Sequence, residues 1–271
     1  MTKDEYIDFS LLKIELKAQK LELLKYPSAY SKYMLEDIDN VLEFVKNNKI
    51  KINGKFRISK TEKRGSQTIC WQSVNSVGSE IATYAGKRRN WAENKLQENI
   101  VKQIAEKQGL FISEKEKERW GEPLDTKGSE AVVYNDPDDD TKVLKSVYHF
   151  IQNKSLPDFI ERTIGFNKLF TDTAYDIIGF RQETEYEDRL GLHLVLRQPY
   201  VHGYTLAQLP SENEYKKAFQ QFQKEGFEID FENKMVFKDG YQVSDLSEYN
   251  IMKTPAGLYF VIDARVIKIS K

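Results

Sequence analysis

The second half of the chain switches repeatedly between strand-like and helix-like hydrophobic spacing, and the order of those switches limits its fold more than any total does. "EAVVY" and "KVLKSV" alternate around the turn-rich "NDPDDDT" and read as a β-hairpin. "LPDFIERTIGFNKLF" then reads as a helix, and "YDIIGFRQE" and "GLHLVLRQPYV" as strands. "SENEYKKAFQQFQKEGF" reads as a helix with Ser211 as N-cap and Gly226 as stop. A last hairpin, "YNIMKT…PAG…LYFVID", turns at Pro255 and Gly257. Hairpin, helix, two strands, helix and hairpin make an α+β pattern.

The first half is mainly helical. From Phe9 to about Val45, apolar residues recur at three- and four-residue spacing (Leu12, Leu16, Leu23, Leu24, then Leu35, Ile38, Leu42, Val45), which gives two amphipathic helices broken near "YPSAY". They read as packing helices, not a coiled coil. "NNKIKINGKFRISK" alternates around Asn53-Gly54, a hairpin signal, while residues 66 to 90 show no clear period. "WAENKLQENIVKQIAEKQGLFI" puts Trp91, Leu96, Ile100, Val101 and Ile104 on one helical face and stops at Gly109. The charged connector "SEKEKERWGEPLDTKG" follows as a candidate boundary.

Composition excludes some functions. With 41 basic and 42 acidic side chains the formal net charge is -1, so no global field marks a nucleic-acid or membrane partner. Cys70 is the single cysteine, which rules out an intrachain disulfide framework and any multi-cysteine metal site. No stretch approaches the roughly 18 apolar residues of a membrane span, and the acidic start leads into no apolar leader segment. The expectation is a soluble, cytoplasmic protein.

The chemistry sits in "VSDLSEYNIMKTPAGLYFVIDA", residues 243 to 264. Phosphoryl transfer from ATP needs a cation on the phosphates, hard oxygen ligands for a metal, and a carboxylate beside the attacking hydroxyl. "D-L-S-E-Y-N" has the D-L-x-x-x-N spacing of a kinase catalytic loop, with Asp245 in the base position and Asn250 in that of the magnesium-binding amide. Asp263, at the end of the next hairpin, is where kinases put a second metal ligand. Lys145, in "TKVLKSV", is the candidate phosphate-binding lysine, alternation placing it on one face with Val143 and Val147. "KGSEAVVY" stands in for a glycine-rich loop, with Gly128 allowing close backbone approach and Val133 or Val132 roofing the adenine site. "LRQPYV" would be the hinge, its backbone near Gln198, Tyr200 and Val201 pairing with adenine.

Residues from about 91 to 269 resemble the kinase domain of polyvalent proteins from bacterial mobile elements and phages. The ordered segments "WAENK", "GSEAVVY", "NKLFTDTAYDIIGF", "LVLRQPYVHG", "EGFEI" and "DLSEYNIM…GLYFVIDA" carry the match. The resemblance implies a protein-kinase-like two-lobed fold that uses ATP and Mg2+, with nucleotide and an unspecified protein or small-molecule acceptor as partners. It divides the chain into a mainly helical region at 1–90 with a small hairpin and a kinase-like domain at 91–271, with an N-lobe at about 121–200 and a minimal C-lobe at about 201–271. Departures accompany it. Val243 and Ser244 replace the histidine and arginine that usually precede the catalytic aspartate, Asp263 is followed by Ala264 and Arg265, and the glycine-rich loop keeps a single glycine near Glu130. Glu161, or Asp158 one turn earlier, would be the helix glutamate that orients the lysine. Eight residues follow Asp263, so the expected C-terminal lobe is truncated and lacks an activation segment.

Each of these residues also has an ordinary structural explanation: Asp245 as a turn or cap, Asn250 as a turn residue, Asp263 as a strand end, Lys145 as a solvated strand lysine and Glu161 as part of a solvated helix face. Their joint spacing favours a nucleotide site. Other motifs fail on position. A calcium loop from Asp136 would have Thr141 and Val147 where glycine and glutamate are required. "YAGKRR" lacks the Walker spacing, and His149, His193 and His202 share no ligand spacing.

Overall fold

The computed structural model describes residues 6–47, 57–60, 67–70, 91–124, 131–148, 156–183, 191–209 and 213–269. The chain forms two compact units interleaved along the sequence: Met1–Glu118, Ser146–Ser155 and Ile177–Val195 in one, Arg119–Lys145, Leu156–Asp176 and Leu196–Lys271 in the other.

The first unit is built on helices α1 (Ser10–Lys25), α2 (Ala29–Asn47) and α3 (Trp91–Lys107), which pack pairwise on one another. Pro27 separates α1 from α2 at the break expected from the sequence. Leu12, Leu16, Ile38, Val41, Leu96, Ile100 and Ile104 are buried and recur at helical spacing, so burying these apolar stripes holds the bundle together. Asp37, buried on α2, accepts the backbone N–H of Ala92 at 2.9 Å. An acceptor there satisfies a donor that the first turn of α3 cannot pair internally. The short helix α4 (Glu114–Glu118) follows. Arg57–Lys60 (β1) pairs antiparallel with Gln67–Cys70 (β2), so the unassigned stretch contains a strand. The Asn53-Gly54 turn lies outside the described residues.

The helix and strand order expected beyond residue 130 is present. Strands β3 (Ala131–Asn135), β4 (Lys142–Val147), β5 (Asp176–Glu183) and β6 (Gly191–Pro199) form a sheet in the order β3-β4-β6-β5. Helix α5 (Leu156–Leu169) lies between β4 and β5 in sequence. In the second unit β7 (Tyr204–Thr205) is followed by α6 (Asn213–Lys224), then β8 (Glu228–Asp230), β9 (Met235–Lys238) and β10 (Tyr241–Ser244). The last strands are β11 (Ile251–Lys253), β12 (Tyr259–Val261) and β13 (Arg265–Lys268).

Two small sheets result, in the orders β13-β10-β9-β8 and β12-β11-β7. The first was not expected from the sequence. Asp239-Gly240 makes its tight turn, with φ of 53° and 77°, the two positive values a type I′ hairpin needs. Ser211, the expected N-cap of α6, lies outside the described residues. The mixed helical and antiparallel content is α+β, as expected.

Candidate active site

Two strand registers bring the acidic residues together. In the β11–β12 hairpin Ile251 faces Val261, and the Ile262 N–H extends the ladder by donating to the Asn250 carbonyl at 2.9 Å. Asp263 is the next residue. In the β10–β13 pair Ser244 faces Arg265, so Asp245 leaves β10 where Ala264 enters β13. The loop 245–250 is therefore set against the segment 262–264.

The loop is held internally as well. Asn250 Nδ2 donates to the Asp245 carbonyl at 2.8 Å, and the Asn250 N–H donates to the Ser247 carbonyl at 3.0 Å. Leu246 is buried, and its carbonyl accepts the Tyr215 hydroxyl. Asp245 has φ of 61°, a left-handed conformation that Asp and Asn tolerate better than most side chains do. Asp245 is exposed as a residue, yet partial desolvation of its carboxyl, and then the negative charge of Asp263, push it above the ordinary aspartate range, with Arg162 and Arg265 pulling the other way.

Lys145, on β4, is buried, and its Nζ donates to the Ile262 carbonyl at 2.9 Å. The Tyr175 hydroxyl and Gln198 Nε2 donate to the same oxygen, at 2.8 Å and 3.1 Å. Lys145 also lies 5.3 Å from the centre of the Tyr175 ring. Burial lowers the lysine's pKa, an effect Asp263 opposes and Arg162 reinforces. Burial, with Asp263, likewise raises Tyr175 well above its ordinary range.

The expected helix glutamate is not the residue at the site. Glu161 is exposed on α5, as is Asp158, and among the described residues no carboxylate lies within salt-bridge distance of Lys145. Arg162 takes the inward place: its Nε donates to the Ala264 carbonyl at 3.0 Å and its Nη2 to Asp263 Oδ1 at 3.3 Å. Helical spacing explains the exchange. Phe159, Arg162, Thr163 and Phe166 are buried along one stripe, and Glu161 falls on the opposite side. That stripe was a readable signal for Arg162, whereas nothing in the sequence marked Tyr175.

The remaining candidates fall as follows. Gly128 lies outside the described residues. Val133 is partly exposed and its carbonyl accepts the Leu124 N–H at 2.7 Å, while Val132 is fully enclosed. In the expected hinge the Tyr200 N–H donates to the Thr141 carbonyl at 2.8 Å, so this donor is already engaged; Val201 follows, half-buried. Gln198 is buried and acts through its side chain, which also reaches the Thr173 carbonyl at 2.7 Å.

Asn250 and Asp263 are hard oxygen donors of the type magnesium takes. The Asn250 amide nitrogen is committed to Asp245, which leaves the amide oxygen as its ligating atom. Asp263 has one oxygen on Arg162 while 37% of its side chain faces solvent. These two residues fit a metal that draws its other ligands from phosphate and water. Among the described residues no group of three or more His, Cys, Asp or Glu could hold a metal ion by itself. Nor is any described helix long and apolar enough to cross a membrane.

An Asp-Asn loop facing an aspartate at a hairpin end, with a buried lysine bonded to the carbonyl of the residue before that aspartate, is a kinase-like constellation. The family model for the serine/threonine/tyrosine kinase found in polyvalent proteins matches residues 94–271, about two-thirds of the chain, and the chain belongs to that family. A search of curated proteins finds no match.

Proposed function

We propose that the chain is an ATP- and magnesium-dependent phosphotransferase that passes a phosphoryl group to an acceptor hydroxyl, a two-lobed kinase encoded on a mobile element. The observation carrying this reading is the pair of registers that set Asp245 and Asn250 against Asp263, with Lys145 bonded to the residue before it. Magnesium, when bound, offsets the phosphates' charge. Asn250 and Asp263 supply its protein oxygens. Lys145, already on a carbonyl oxygen at 2.9 Å, can exchange that acceptor for a phosphate oxygen, a charged and stronger one. Asp245 orients the acceptor hydroxyl and takes its proton, and its raised pKa makes it a better base than an ordinary aspartate.

A second reading is a module that holds nucleotide without transferring phosphate. The lack of a carboxylate on Lys145 among the described residues favours it, as does Arg265 two positions after Asp263.

Thermal melting with ATP, with and without magnesium, tests binding, because a ligand at 100 times its Kd stabilises by about 2.7 kcal/mol. A magnesium-dependent shift is expected; no shift removes both readings, and a metal-independent one favours the second. Radiolabel transfer by wild type against Asp245→Asn tests the chemistry, asparagine being tolerated at φ of 61°. Equal labelling by both would remove Asp245 from the mechanism.

A further inference from the structure

The segment Ile262-Asp263-Ala264 is gripped by two cations from distant parts of the chain. Lys145 takes the Ile262 carbonyl at 2.9 Å, and Arg162 takes the Ala264 carbonyl at 3.0 Å and Asp263 Oδ1 at 3.3 Å. The Tyr175 hydroxyl and Gln198 Nε2 hold the Ile262 carbonyl even when Lys145 turns to a phosphate, and Arg162 holds the Ala264 carbonyl, so the main freedom left to Asp263 is rotation of its side chain, which the third bond restricts. Only an arginine makes the second and third bonds together, because Nε and Nη2 form a rigid planar fork, whereas an ammonium is a single point donor. The helix is built to deliver it. Gly165, one turn beyond Arg162, allows α5 to approach β13 so closely that a Cβ there would lie 2.8 Å from Val266 Cγ1. The exposures are unequal: the Arg162 side chain is 8% exposed, the Asp263 side chain 37%. A buried donor thus holds one oxygen of a carboxylate that still opens to solvent, the usual relation between a metal-ligating carboxylate and the residue that orients it.

From this geometry we infer that Arg162 is a positioning residue for magnesium: it fixes Asp263 in the orientation that takes up the metal. This rests on the phosphotransferase reading. In this chain the helix serves the metal ligand, where a helix glutamate would have served the lysine.

The test is thermal melting of the full chain at fixed ATP across a magnesium titration, for wild type, Arg162→Lys and Arg162→Met. Loss of an orienting partner typically costs 10–100-fold in metal affinity, so Arg162→Met should need about 10–100-fold more magnesium for half the ATP-dependent shift. Arg162→Lys, able to make one bond of the two, should lie between. Any stabilisation by ATP alone should be the same in all three. A merely structural Arg162 would lower the ligand-free Tm and leave the magnesium midpoint in place, which overturns the inference. A midpoint that falls makes Arg162 a competitor for Asp263 and overturns it too. Should Arg162→Met not fold, Arg162→Lys carries the test, and a wild-type midpoint there has the same force. A wild type with no magnesium-dependent shift removes the phosphotransferase reading and this inference with it; a wild-type shift whose midpoint neither variant moves removes this inference alone.

Discussion

Both compact units contain arginines paired with carboxylates, and one pair from each shows how far they can differ in openness. In the first unit Arg181 Nη1 meets Glu183 Oε2 at 2.7 Å on β5, both side chains fully enclosed, with Glu114 3.6 Å from the same guanidinium. In the second, Arg162 meets Asp263 at 3.3 Å, with the carboxylate more than a third exposed. A closed pair returns its desolvation cost only through mutual attraction and hydrogen bonds, so it serves the fold. A half-open pair has an oxygen within reach of something else. Equal chemistry therefore has unequal meaning, and solvent access separates the two.

Four experiments can break or sharpen this contrast. The largest effect is expected from Glu183→Ala, which takes the 2.7 Å carboxylate from a buried guanidinium. Urea unfolding should show a loss of about 3–5 kcal/mol, and a loss below about 1 kcal/mol would erase the contrast from the closed side. Next, Asp263→Asn should change ligand-free stability by less than about 1 kcal/mol, as for a partly exposed ion pair. It should also abolish a magnesium-dependent ATP shift worth about 2.7 kcal/mol at 100 times the Kd. A large drop in Tm with the shift intact would make this pair structural as well.

Gly165→Ala probes the support behind the open pair. Its Cβ would overlap the Val266 side chain, so a cost of about 1–3 kcal/mol is expected, with a higher magnesium midpoint as α5 is pushed from β13. An unchanged midpoint would show that Arg162 does not depend on that approach. The smallest effect concerns a third cluster, Glu214, which is held by Lys217, Lys253 and the Tyr259 hydroxyl. These bonds, led by Lys217, lower its pKa from 4.5 to about 2. Because the folded value lies below the unfolded one, its contribution is complete above pH 4.5 and fades as the pH falls towards 2. Glu214→Gln should therefore flatten part of the acid limb of the Tm–pH curve and leave the magnesium midpoint unchanged.

The long elements were legible because their apolar periods are long enough to read. The sheet formed by β8, β9, β10 and β13 was not, since its strands have three or four residues and only partial burial. Its one readable mark was Asp239-Gly240. Asp245, Asn250 and Asp263 could be placed because a hairpin with a short turn converts sequence spacing into register. Lys145 resisted the same logic: β4 is buried along both faces from Val143 to Val147, so alternation assigns no side. Glu161 sits on the right helix at a plausible distance, but helical phase, set by the buried Phe159, Thr163 and Phe166, turns Arg162 inward instead. At Gln198 the sequence suggested a backbone role, while burial turned its side chain to two carbonyls.

The grip on residues 262–264 also bears on the order of folding. Lys145 and Arg162 are separated from their acceptors by 117 and by 101 to 102 positions. Closing loops of that length has an entropic cost that local helices and hairpins avoid, so these contacts should form late. While the chain is being synthesised, both cations exist well before the carbonyls that will receive them. Until the last hairpin docks those acceptors are missing, so this corner should report that step of folding.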